Sequence, residues 1–137
     1  MSLWKLLWKD AQNYVPNPEA FSKEAEDWAK TVSGYEQEQR QVQRQNRPSQ
    51  LRKFYDELFK LNQRAKMEGS NWDTILPHIH MLIAKVAYAK GRGLVSDSFV
   101  LGLKELLSNI KQKEHLHVVT SFLEAFMAFY KQYRPRD

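Results

Sequence analysis

The chain of 137 residues contains no cysteine, an absence that removes disulfides, thiolate metal sites and cysteine nucleophiles together and fits an intracellular setting. Long apolar runs are missing too. The stretch Leu3-Trp4-Lys5-Leu6-Leu7-Trp8-Lys9 is too short and too charged for a membrane span or a signal-peptide core, and no small-residue cleavage site follows it. The expectation is a soluble, cytoplasmic protein without a membrane partner. No segment alternates apolar and polar residues over a strand length, which argues against a sheet.

Catalytic patterns are lacking as well. The serines fall at helix caps or surfaces with no nucleophile elbow, and Gly91-Arg92-Gly93 is too short to cradle a phosphate. Asp56 and Glu57 are adjacent carboxylates, but Arg52, Lys53 and Lys60 surround them. Such cations favour ionised, salt-bridged carboxylates over acid–base chemistry. His78 and His80, like His115 and His117, stand two residues apart, so on a helix they project about 200° from each other and cannot share an ion. They read as surface or boundary histidines. No catalytic residue, metal or cofactor is expected.

What the chain does have is helical periodicity. Asn17-Pro18 is an N-cap followed by proline at the first helical position, and Phe21, Ala25, Trp28, Val32 and Tyr35 then recur on one face of a first long helix. Gly34 weakens it. From Glu36 to Asn46 almost nothing apolar remains, so that Gln-rich run reads as a solvated helical tail or linker. A second helix starts at Pro48-Ser49 with Leu51, Phe54, Tyr55, Leu58, Leu61 and Ala65 inward, and ends at Gly69-Ser70-Asn71. A third opens between residues 73 and 77, buries Ile79, Leu82, Ile83, Val86 and Ala87, and stops at Gly91. Ser96 or Asp97 caps a fourth, with Phe99, Val100, Leu103, Leu106, Leu107 and Ile110 inward. A fifth spans residues 116–133 around Val119, Phe122, Leu123, Phe126, Met127 and Tyr130. The fold class is all-α, a compact bundle of about five helices. Residues 1–46 form an N-terminal helical arm with its Gln-rich segment and residues 47–137 the helical core, within one domain overall.

Charge is unevenly spread. Residues 1–39 carry four basic and seven acidic side chains, whereas residues 40–67 carry Arg40, Arg44, Arg47, Arg52, Lys53, Lys60, Arg64 and Lys66 against Asp56 and Glu57. The formal net charge of +5 therefore belongs largely to one segment. A positive stripe concentrated on a helix is the footprint of a polyanion partner, most often nucleic acid; a solvated helix that keeps the protein soluble is the plain alternative.

Two stretches decide between these. Arg47-Pro48-Ser49-Gln50-Leu51-Arg52-Lys53-Phe54-Tyr55 and Ala84-Lys85-Val86-Ala87-Tyr88-Ala89-Lys90-Gly91-Arg92 together resemble the small, all-helical subunit of the type III-A CRISPR effector complex, the Csm complex. The likeness covers residues 47–134. Pro48 replaces the threonine usual at that helix start, and the Gln-rich run has no counterpart. The resemblance implies a non-catalytic subunit that stacks head to tail in several copies, beside backbone and large subunits, in antiviral defence. It implies that a basic face contacts CRISPR RNA and target RNA through phosphates, with Arg52, Lys53, Lys60, Arg64, Lys85 and Arg92 as the contact residues.

Trp4, Trp8, Tyr88 and Phe129 are candidates for protein contact. The strip of Leu3, Trp4, Leu7 and Trp8 either folds back on the bundle or, if exposed, anchors a partner. Tyr88 either stacks on a ligand or packs at the core edge, and Arg92 either reaches phosphate or satisfies helix-end carbonyls. Two other readings fit the residues: a helical protein-binding adaptor, and the small subunit of a related type III-B or type I complex.

Overall fold

The structure is a computed structural model and describes residues 2–34 and 44–137. Its first element, α1 (Leu3–Leu7), is capped by the Ser2 side chain, which accepts from the Lys5 amide. The helix stops there because Trp8 is extended, and β1 (Trp8–Asp10) pairs antiparallel with β2 (Val15–Pro16). The Asp10 carboxylate accepts from the Gln12 and Asn13 amides, and Tyr14 takes a positive φ of 59° to complete the reversal. The strip of Leu3, Trp4, Leu7 and Trp8 is thus divided between a helix and a hairpin, and the expectation of no sheet is corrected by this two-stranded one. Asp10 decides it locally, by offering backbone amides a partner that competes with the helix.

The first long helix is also divided. Asn17 accepts from the Glu19 amide, as a cap should, but Pro18–Phe21 is a 3₁₀ turn and α2 (Lys23–Ser33) begins only after Ser22. Gly34, at φ 69°, ends α2 with its amide bonded back to the Lys30 and Thr31 carbonyls. This is a left-handed cap, which glycine adopts without a Cβ clash. Tyr35 and the Gln-rich run through Gln43 lie outside the described residues.

Four longer helices follow: α3 (Pro48–Lys66), α4 (Trp72–Gly91), α5 (Asp97–Ser108) and α6 (Lys113–Tyr133). All four stand where periodicity puts them, with shifts at the ends. Asn71 caps α4 through a 3.0 Å bond from the Asp73 amide, so Pro77 falls inside the helix and not at its start. Its stop is Gly93, at φ 75°, and not Gly91. Leu94 N donates to Ala89 O at 3.0 Å and Gly93 N to Lys90 O at 2.9 Å, the paired bonds of a Schellman motif. Ala87, read as inward, is exposed. α6 starts three residues before Leu116 because Gln112 and His115 form a reciprocal capping box.

α6 is the axis of the bundle. α2 and α3 pack on it, α4 packs on α3 and α5, and α1 lies against α5. Tyr130, Phe126 and Phe122 of α6 are fully buried, and Trp28 of α2 meets Phe126 at 4.3 Å and Phe99 at 5.8 Å between ring centroids. Each such side chain contributes about 1.5–3 kcal/mol on removal from water. Trp28 also fixes α5: its indole donates to Ser98 O at 3.1 Å, and a Cβ on Gly102 would stand 2.6 Å from the Trp28 ring. Only glycine allows that approach.

Two polar clamps close the bundle, and neither was legible beforehand. Asn46, within the segment read as solvated, is buried at φ 56°. Its side chain donates to Val32 O at 3.1 Å and Ser96 Oγ at 2.7 Å and accepts from Ser96 N at 2.8 Å, while its carbonyl accepts from the Tyr130 hydroxyl. One residue thereby ties α2, α6 and the turn before α5. The second clamp is His115, read as a surface or boundary histidine and in fact buried. Nδ1 accepts from the Lys111 and Gln112 amides, and the ring sits within 5.1–5.5 Å of Trp4, Trp8 and Tyr14. The tryptophan strip therefore folds back on the bundle.

Candidate nucleic-acid interface

α3 buries Leu51, Phe54, Leu58, Leu61, Asn62 and Ala65, and this apolar stripe fixes which side of the helix faces water. Arg52, Lys53, Lys60 and Arg64 are all exposed. At 100° per residue they share an arc of about 120°, and Lys53, Lys60 and Arg64 fall within about 40° of one another along roughly 16 Å of helix. Within this arc stand Asp56 and, beside it, Glu57; Glu57 accepts from Lys85 Nζ of α4 at 2.9 Å. That ion pair registers the antiparallel neighbours α3 and α4 and sets Lys85 beside the stripe. It also offsets the Lys85 charge, although an ion pair this exposed exchanges readily with water and salt.

α4 adds an unusual outer side. Its buried residues are Ile75, Ile79, Leu82, Val86 and Ala89, so His78, Met81, Lys85 and Tyr88 project outward at a spacing of three and four. Met81 is 54% and Tyr88 68% exposed, large values for such side chains. The Arg92 guanidinium lies 5.9 Å from the centre of the Tyr88 ring, a cation–π arrangement that orients both groups at the end of the helix. Arg92 is exposed, and the helix-end carbonyls are satisfied by the Schellman amides. Lys90 is held instead by an ion pair with Asp97 at the start of α5.

The candidate residues thus fall into two sets. Arg52, Lys53, Lys60, Arg64, Lys85 and Arg92 lie on the exposed sides of the adjacent helices α3 and α4, with Tyr88 beside them. Trp8 is only 8% exposed, Trp4 is half-buried, and Phe129 is half-buried against the core, so these three have little surface to offer. Met81 and His78 belong to the outer side of α4 and were missed. Extending the spacing of Tyr88 and Lys85 backwards by three and four residues would have found them.

Among the described residues no group of three or more histidine, aspartate and glutamate side chains converges as a metal site would require. His117 sits half-buried with Nδ1 against the Asn62 side-chain oxygen, and burial, then the Lys66 charge, holds its pKa below the ordinary value. It joins α6 to α3. Asp137 accepts from the Ser49 amide at 2.9 Å and from its hydroxyl, and these bonds lower the carboxylate pKa. A carboxylate there supplies the negative charge that the start of α3 otherwise lacks. No described helix is long and apolar enough to cross a membrane.

The surface can hold phosphates through cations spread over two helices, with an aromatic group at one end. The model of the family Csm2 Type III-A matches residues 16–136. No curated protein and no solved structure matches the chain.

Proposed function

The chain belongs to the Csm2 type III-A family, the small subunits of the Csm effector complex, and on that premise we propose that it is a non-catalytic, cytoplasmic scaffold for RNA. Its α3–α4 surface contacts the backbone of guide and target RNA without regard to sequence. The observation that carries this reading is the arc of Arg52, Lys53, Lys60 and Arg64, exposed together on one side of a single helix.

The chemistry suits the role. A scaffold that serves many guides holds phosphates with Lys and Arg and leaves specificity to base pairing. Lys85 and Arg92 extend the same surface, and Tyr88 supplies a ring on which a base or ribose can rest. One subunit binds weakly and loses affinity steeply with salt; copies stacked head to tail along the backbone and large subunits gain by avidity. Residues 47–137 carry the RNA face, and residues 1–46 are the N-terminal part of the same domain, whose helix α2 packs on α6.

The test is titration of two unrelated RNAs at low and moderate salt with wild type and with Arg52→Glu/Lys53→Glu/Lys60→Glu/Arg64→Glu, with helicity followed by circular dichroism. Both RNAs should bind wild type with similar affinity that falls as salt rises, and the folded variant should lose about tenfold or more. Equal binding by the variant, or no binding by wild type at low salt, would overturn the reading. Within the series, Lys85→Glu should weaken binding less than Lys60→Glu, because Glu57 already offsets Lys85.

A further inference from the structure

On another side of the molecule a groove of about 770 Å³ runs between α1, α2 and α5. Its floor is apolar: Leu3, Leu6 and the Trp28 ring, with Leu101 beside them at 66% exposed. Gly102 lets the Trp28 ring and Leu3 come against α5, within 3 Å of where a Cβ would stand, and those two side chains form the floor between the helices. The Trp28 indole N–H is already bonded to Ser98 O. An entering group therefore meets apolar surface and no unsatisfied donor from that ring.

The rim carries the opposite charge to the α3–α4 surface. Glu24 and Asp27 of α2 and Glu105 of α5 line it, against Lys23 alone. Glu105 bonds the Trp4 amide through Oε1, which leaves its second oxygen for a donor from outside. Carboxylates around an apolar floor repel a phosphate backbone and attract lysine and arginine. Ser98, Leu101, Gly102 and Glu105 follow one another at the three-and-four spacing of a helix stripe, so the groove has the form that receives an amphipathic helix.

We propose that this groove docks a basic amphipathic helix of another protein, with leucine-type side chains on the Trp28–Leu101 floor and lysine or arginine against Glu24, Asp27 and Glu105. The molecule then has two faces for two partner classes, RNA on α3–α4 and protein on α2–α5. The inference is independent of the RNA reading.

The probe is a labelled helical peptide of Leu and Lys, about 14 residues long, with a Leu–Glu peptide of the same pattern as control. Binding is read by anisotropy at about 0.15 M salt and by the Trp28 indole NMR resonance. The Leu–Lys peptide should bind and shift that resonance, and the Leu–Glu peptide should bind at least about tenfold more weakly. Leu101→Ser and Glu24→Lys/Asp27→Lys should each cost about tenfold while leaving RNA affinity unchanged, and the quadruple α3 variant should bind the peptide as wild type does. Equal binding of both peptides, an unmoved Trp28 resonance or unaffected groove variants would overturn the proposal. Self-association that the groove variants abolish would overturn it too, by making a second copy the occupant.

Discussion

The outer side of α3–α4 and the clamp at Asn46 are both polar, and they behave in opposite ways. On α3, Arg52, Lys53, Lys60 and Arg64 stand in water with their charges exposed to any partner. Asn46 is neutral and 1% exposed, yet its side chain and carbonyl together engage Val32, Ser96 and Tyr130. The first region leaves its polar capacity open to a partner, and the second uses it to hold the fold. Changes at the two should therefore separate binding from stability.

The largest effect on stability should come from Asn46→Ala. It strands the half-buried Ser96 amide and the buried Val32 carbonyl and forces alanine into a left-handed conformation. About 3–4 kcal/mol should be lost, read by urea denaturation. Asn46→Gly should recover the backbone part of that loss and not the hydrogen-bonded part. A full recovery would mean that the side-chain bonds contribute nothing.

Gly102→Ala should come next. The added methyl meets the Trp28 ring and costs about 1–3 kcal/mol by overpacking, offset by up to about 1 kcal/mol of helix propensity. A melting temperature lowered together with the near-ultraviolet signal of Trp28 would bear this out; a rise would show that the ring yields freely.

Between pH 7.5 and 5.5, acid should act on stability through the histidines whose pKa burial lowers. Burial holds the His115 pKa below its ordinary value, against a smaller raising effect of the bond to Ala11 O. The unfolded chain therefore takes up the proton first, so this contribution is complete above about pH 6.5 and is lost as pH falls toward the lowered folded value. His117 acts in the same direction. His115→Gln keeps a side chain suited to the capping box without titrating, so it should reduce the loss of stability between pH 7.5 and 5.5. An unchanged slope would remove His115 from the account.

The smallest change should be Lys60→Glu, within about 0.5 kcal/mol of wild type in stability, while on the proposed reading it should lower RNA affinity. A large loss of stability there would collapse the distinction between the two regions.

The same contrast governs what was legible in the chain. The inward residues of α3, α5 and α6 follow a 3.6-residue repeat, and burial of one stripe leaves the other exposed, so the solvent-facing arc of α3 could be read directly. The hairpin could not. Its strands are two and three residues long, below the length at which alternation carries a signal. Asn46 and His115 were hidden for another reason. A polar side chain is placed in a core by partners distant in sequence, here 50 residues away for Ser96 and 104 for Ala11.

By itself, then, the sequence determined the helices, their inward faces and the basic character of one segment, because these follow from local spacing and local composition. Tertiary structure decided which polar groups became buried clamps, that Trp4 and Trp8 close around His115, and that α3 and α4 share one surface. It also formed the groove between α1, α2 and α5 and set Glu24, Asp27 and Glu105 along it. These depend on which helices meet and how closely, and packing distances are set only when the whole chain has closed.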